Sequence, residues 1–274
     1  KRAKYSRQPA DQEVRRGIGV ASLFHGISLG AEGLDFAEHT IRLGEGNTFE
    51  ILTGLTDYGQ GSRTVFCLIA SEVLGFPVER FQWMPCDTDV VYECGPTVAS
   101  RSTILGGNAT RLAAMRLLTQ LYDAAAMMMG CMVTEIRQEG EVFHGPAGRR
   151  VTLDELIAYA RVNHLPLSAK ARWEMPRIHW SFAKGRGVPY VAYHFGAQVA
   201  EVEVDRRTGV TKVLNIYAVH DVGKVVFPQG IRGQIIGGIS QGLGYALMER
   251  VEFEKGYIQN PNFDTYLIPT AADM

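Results

Sequence analysis

No run of apolar residues reaches the roughly 18 that a membrane-spanning helix needs. The polar start KRAKYSRQPADQEVRRG is not followed by the apolar core of a secretory leader. Both absences point to a soluble, cytoplasmic chain with no membrane partner. Charge of one sign is also missing: 28 Lys and Arg stand against 29 Asp and Glu, with no basic block. That balance excludes the electrostatic footprint of a nucleic-acid binder. The four cysteines, Cys67, Cys86, Cys94 and Cys131, lie far apart without a Cys-x-x-Cys pair. They read as reduced thiols, not as a disulfide framework, a zinc site or an iron–sulfur site. The seven histidines are scattered without metal-ligand spacing, so no metal held by protein side chains is expected. Neither a Gly-x-x-x-x-Gly-Lys-Ser/Thr loop nor a Gly-x-Gly-x-x-Gly bridging strand and helix occurs.

What is present is regular. "AEHTIRL" and "TFEILTGL", separated by Gly44, Glu45, Gly46 and Asn47, predict a hairpin. "SRTVFCLIASEVLG" predicts a helix from its apolar spacing, its stop at Gly75 and the following Pro77. "FQWMP" reads as a short strand, residues 102–129 as a long helix and "TLDELIAYARVNH" as another helix. "AEVEVDRRTGVTKVLNIYAVHD" alternates Ala200, Val202 and Val204 against Glu201, Glu203 and Asp205, then turns at Thr208 and Gly209. It predicts a hairpin with one buried face and one wet face. Ile235, Ile239, Leu243 and Leu247 predict a helix over "QIIGGISQGLGYALMER". Its Gly237, Gly238, Gly242 and Gly244 each cost about 1 kcal/mol relative to Ala, so close backbone packing or a ligand against this helix is expected.

The order strand, turn, strand, Gly-Gln, helix occurs twice, with Gly59-Gln60 before the first helix and Gly233-Gln234 opening the second. The expected architecture is therefore α+β, with two related lobes of mixed β-sheet and helices packed on them. The first lobe is expected over residues 1–165, a linker over 166–187, and a second lobe over 188–274, truncated at its C-terminus. The chain lacks an initiator Met and stops at "NPNFDTYLIPTAADM", just after a new element begins, so it is expected to be a piece of something longer.

Residues 238–242 spell Gly-x-Ser-x-Gly, the nucleophile elbow of α/β-hydrolases. That fold needs a His after the Ser, and the last histidine here is His220, so hydrolysis is set aside. What remains are donor-rich loop-to-helix junctions: residues 58–64, residues 99–103, and Gly233 with Gln234. Helix-start N–H groups, small side chains and hydroxyl or amide donors suit an anionic, heteroatom-rich ligand. Ordinary capping by Ser and Thr would account for any one junction; three in one chain favour a ligand.

"TGLTDYGQGSRTVFCLIASEVLGFP", "DTDVVYECGPTVASRST", "GQIIGGISQGLGYALMER" and "NFDTYLIPTAADM" resemble successive segments of the molybdenum hydroxylases, the family of xanthine dehydrogenase and aldehyde oxidase. The resemblance is collinear over residues 17–274. It implies molybdopterin as cofactor, in bacteria often as the cytosine dinucleotide, with the metal held by the cofactor's dithiolene. It also implies that Tyr58, Gly59 and Gln60 lie against the cofactor and Ala99 near the molybdenum. Ser100, Arg101, Ser102 and Thr103 would hydrogen-bond the pterin or phosphate, and Gln234 would approach the metal's oxo ligand.

The implied reaction hydroxylates an electron-poor carbon of a purine, another N-heterocycle or an aldehyde, using water. The family's general-base glutamate is expected beyond Met274, so no residue of this chain is given a catalytic role and the isolated chain is expected to be inactive. Implied partners are the remaining part of the molybdopterin subunit and chains carrying iron–sulfur clusters and FAD, in an oligomer. A different reading is a non-catalytic assembly module that kept the fold without the cofactor.

Overall fold

The computed structural model describes residues 5–9 and 11–273, so the extreme ends of the expected lobes, residues 1–4 and 274, lie outside it. The chain divides into two compact units. One is Gly26–Tyr193; the other joins the residues up to His25 with those from His194 onward. Strand β1 (Val14–Gly26) lies mainly in the second of these.

In the Gly26–Tyr193 unit, β2 (Phe36–Leu43) turns its buried Ala37, His39 and Ile41 to one side, the period-two pattern of a half-buried strand. It pairs antiparallel with β3 (Phe49–Leu52), as the hairpin signal predicts. Helix α1 (Ser62–Leu74) follows and ends at Gly75 in the left-handed conformation. It leads to β4 (Phe81–Trp83), which runs parallel to β3.

Helix α2 (Gly107–Met129) occupies the predicted long-helix position, but its first turn, Ser102–Gly106, is π-helical. Three short strands, β5 (Arg137–Glu139), β6 (Val142–His144) and β7 (Arg150–Thr152), form an antiparallel meander. Helix α3 (Leu153–Val162) starts on a capping box in which Thr152 and Glu155 satisfy each other's backbone N–H.

The expected linker is corrected by β8 (Ser168–Glu174), which pairs with β2 along its whole length, from Phe36 opposite Glu174 to Arg42 opposite Ser168. Its buried Ala169 and Ala171 give it a face for the core. The mixed sheet therefore has the order β4-β3-β2-β8. Phe49, Phe66, Ile51, Leu74, Leu117 and Leu121 are fully buried in its core.

His39 is a satisfied core histidine. The Leu55 N–H donates to Thr53 Oγ1 (3.0 Å), and the Thr53 hydroxyl is hydrogen-bonded to His39 Nε2 (2.6 Å). His39 Nδ1 is hydrogen-bonded to Thr110 Oγ1 at 2.8 Å, so both ring nitrogens have a partner. Complete burial lowers its pKa to about 3, so the ring is neutral. The unit also carries the short pair β9 (Trp180–Ser181) and β10 (Arg186–Gly187).

The other unit holds a three-stranded sheet, β1 with β11 (Tyr193–Asp205) and β12 (Thr211–Asp221), in the order β1-β11-β12. Its predicted hairpin forms, but the clean division into a dry face and a wet face does not. A register shift between Glu201 and Val202 moves Glu201 inside. There Tyr5 Oη and Asn215 Nδ2 donate to its carboxylate. Val202 and Val204 are only half-buried.

Helix α4 (Pro228–Leu247) begins earlier than predicted, because Pro228 at the first helical position needs no N–H partner. Gly233 and Gln234 therefore lie in its second turn and do not open it. Of the four glycines expected to be tightly covered, Gly244 is, since a Cβ there would stand 2.9 Å from Pro269 Cδ; at Gly237, Gly238 and Gly242 a Cβ would meet nothing within 4 Å among the described residues. Only Gly244 is buried. A last hairpin joins β13 (Phe253–Glu254) and β14 (Tyr257–Ile258). Among the described residues, no helix is long and apolar enough to cross a membrane.

Candidate cofactor-binding site

Within the Gly26–Tyr193 unit, two of the donor-rich junctions meet, and Thr97 ties them. Its Oγ1 accepts the Thr56 N–H at 2.9 Å, and its carbonyl accepts the Tyr58 hydroxyl at 2.7 Å. Tyr58 and Gly59 are exposed. Gln60 turns inward: its Oε1 accepts the Tyr58 N–H (2.8 Å), and its Nε2 donates to the Thr56 carbonyl (2.9 Å) and to Ser62 Oγ (3.1 Å). Both amide hydrogens are thereby used, leaving one acceptor lone pair.

The start of α1 is also occupied from within. Asp57 accepts the N–H groups of Gly59 (2.9 Å), Gly61 (3.4 Å) and Arg63 (2.9 Å). Partial burial opposes its ionisation, but these three donors and the Arg63 charge hold its carboxyl below the ordinary value. A helix start that already carries a carboxylate is a poor seat for a second anion. The ligand-binding capacity of this pair of junctions therefore lies on the residue 97–103 side.

That segment is conformationally unusual. Ala99 and Ser100 are consecutive non-glycine residues at positive φ, 54° and 59°. Such backbone is held only when its surroundings over-determine it, and it concentrates at functional sites. Arg101 provides the hold. It is buried, and its guanidinium donates to Asp35 Oδ1 (2.9 Å) and to the carbonyls of Pro96 and Phe36.

Asp35 in turn accepts the N–H groups of Leu29 (3.2 Å) and Gly30 (2.9 Å). Gly95 makes room for this node, since a Cβ there would stand 2.9 Å from the Arg101 guanidinium. Arg101 thus uses three of its five N–H donors to shape the turn.

Next come the donors with no protein partner. The hydroxyls of Ser100, Ser102 and Thr103 make no hydrogen bond among the described residues; Ser100 and Thr103 are exposed and Ser102 is partly buried. They precede or lie in the π-helical turn, a feature often found at functional sites. The close packing of that turn needs Gly106, where a Cβ would stand 2.7 Å from Phe66 and 2.8 Å from Leu55.

Sequence reasoning missed Ser28. Its φ is +74°, its N–H donates to the Ala99 carbonyl at 2.7 Å, and its Oγ is buried without a hydrogen-bond partner. No sequence motif marks it. Asp57 was missed as well, although a short acidic side chain just ahead of a helix is a signal that could have found it. Gln234, the remaining predicted site residue, is an exposed residue of α4 in the other unit.

The family model described as the molybdopterin cofactor-binding domain matches residues 1–274. The chain belongs to the molybdenum hydroxylase family. This molybdopterin-binding domain is 32% identical over 269 residues to a probable xanthine dehydrogenase subunit of Bacillus subtilis, covering 95% of the chain and 34% of that protein. It is 28% identical to a putative xanthine dehydrogenase molybdenum-binding subunit of Escherichia coli, with the same two coverages.

The aldehyde oxidoreductase from Desulfovibrio desulfuricans superposes with a TM-score of 0.73 at 28% identity, over 96% of this chain and 26% of that one. Quinoline 2-oxidoreductase from Pseudomonas putida shares the fold with a TM-score of 0.78 at 24% identity, over 95% of this chain and 34% of that one. The chain thus spans about a third of its curated bacterial relatives.

The donor set of the molybdopterin-binding domain fits such a group. Three hydroxyls and a buried serine oxygen without partners among the described residues, beside a turn at positive φ, are features a heteroatom-rich anion can satisfy. Among the described residues, no group of three His, Cys, Asp or Glu side chains is placed to hold a metal ion.

Proposed function

We propose that the chain is the part of a molybdenum hydroxylase that cradles molybdopterin, with or without the cytosine nucleotide, through Ser100, Ser102 and Thr103. The observation that carries this reading is the π-helical turn whose hydroxyls have no protein partner, next to the left-handed Ala99 and Ser100. Ala99 has the small side chain that lets a ligand approach the backbone. Tyr58 and Gly59 border the same turn through Thr97, and Gln60 offers its remaining acceptor. Arg101 and Asp35 position the turn. Gln234 joins the set on the family resemblance alone.

When bound, the group supplies hydroxylation of an electron-poor carbon by water, with the substrate's electrons passing to molybdenum. The chain's own residues orient the cofactor and replace the water that a buried polyanion would otherwise lose. The substrate class is a purine, another N-heterocycle or an aldehyde. The partners are the rest of the molybdopterin subunit and chains carrying iron–sulfur clusters and FAD. In the assembled enzyme, Ser102→Ala is expected to lower molybdenum per chain with the complex intact; wild-type metal content would count against the assignment.

A further inference from the structure

Strand alternation places Val20, Ser22 and Phe24 of β1 on one face of the three-stranded sheet. Beside them lie Phe195 and Ala197 of β11, and then Val219 of β12, which stands opposite Ala197. This face is largely apolar and wet, with Asp221 opposite Phe195 at its edge: Val20 is 63%, Phe195 50% and Val219 72% exposed. The Phe24 and Phe195 rings lie 5.1 Å apart. With Ala197 and Val219 they line a groove of about 520 Å³.

Single exposed apolar residues are ordinary, but a contiguous apolar surface over three strands marks an interaction site. Among the described residues, every buried apolar side chain lies between Ala37 and Ala171, so this unit contains none.

We propose that this face is the seat of an apolar-faced segment from the polypeptide that completes the molybdopterin subunit. The proposal rests on the family reading above. The length of the relatives argues for this occupant: the chain corresponds to 34% of the Bacillus subtilis relative, leaving two thirds of such a polypeptide to supply a cover. A second copy of this chain would bring only another sheet that lacks a core of its own.

The test is a photo-crosslinking p-benzoylphenylalanine at Phe195 in the native complex, with the adduct mapped by mass spectrometry. The expected adduct is a peptide from the remainder of the molybdopterin subunit, whether that remainder is a separate chain or continuous with this one. Phe195→Asp with Val219→Lys should lower the assembled fraction by about tenfold or more. Leu34→Asp, at an exposed position of the other unit, should leave assembly unchanged.

An adduct only to a second copy, no adduct, or wild-type assembly of the double variant would each overturn the proposal. Molybdenum content is read separately. Loss of metal with the expected adduct retained leaves this surface standing, while an absent adduct with full metal removes it without touching the cofactor site.

Discussion

The same ion pair occurs in both units with different consequences. Arg101 and Asp35 lie 2.9 Å apart, with side chains 0% and 3% exposed. Arg16 and Glu203 also lie 2.9 Å apart, at 49% and 27%. In the Gly26–Tyr193 unit, burial and backbone partners at Leu29, Gly30, Phe36 and Pro96 fix the pair beside the Ala99–Ser100 turn. In the β1-β11-β12 unit no apolar side chain is buried among the described residues, and water screens the pair. The difference teaches where precise chemistry can be held: donor geometry is set where a core supports it, and the other unit awaits a cover.

The largest expected contrast follows from these pairs. Asp35→Asn leaves the Arg101 guanidinium buried without its counter-charge and should cost about 3–5 kcal/mol. Glu203→Gln should cost under about 1 kcal/mol. Urea unfolding of the two variants, side by side, measures the gap, and equal losses would break the comparison.

Glycines sharpen it next. Gly106→Ala drives a methyl into Phe66 and Leu55 and should destabilise by about 1–3 kcal/mol. Gly238→Ala, in a helix with open space around it, should stabilise the isolated chain by up to about 1 kcal/mol. Thermal unfolding reads both signs, and a loss in Gly238→Ala would show that α4 is already packed.

The third contrast is pH. His39 is neutral in the fold, with a pKa near 3, while the unfolded chain binds a proton near the ordinary 6.5. Its contribution is therefore present above pH 6.5 and is lost as pH falls from there toward 3, at up to about 1.4 kcal/mol per pH unit. His39→Gln should flatten that slope in urea titrations at several pH values. An unchanged slope would place the acid sensitivity elsewhere.

Much of the first unit was legible because its signals are local. The β2–β3 hairpin, the Gly75 stop of α1 and the Thr152–Glu155 box of α3 depend on neighbours within a few residues. Strand β8 was not, because its pairing with β2 is decided by a partner far away in sequence. The bond from Arg101 to Asp35 was not legible for the same reason, since 66 residues separate the two. In the second unit, the period of α4 was readable from Ile235 to Leu247, but its start rests on Pro228. Its glycines suggested a tight neighbour that, among the described residues, Gly244 has and Gly237, Gly238 and Gly242 do not. The register shift at Glu201 left no trace in the alternation that predicted a wet Glu201.

The central claim is tested most directly by the molybdenum and pterin content of the assembled enzyme carrying Ser100→Ala, Ser102→Ala and Thr103→Val together. Both contents should fall about tenfold or more while the complex still forms, as expected when several charge-assisted hydrogen bonds to one anion are removed. Full occupancy of metal and pterin in that variant would contradict the account.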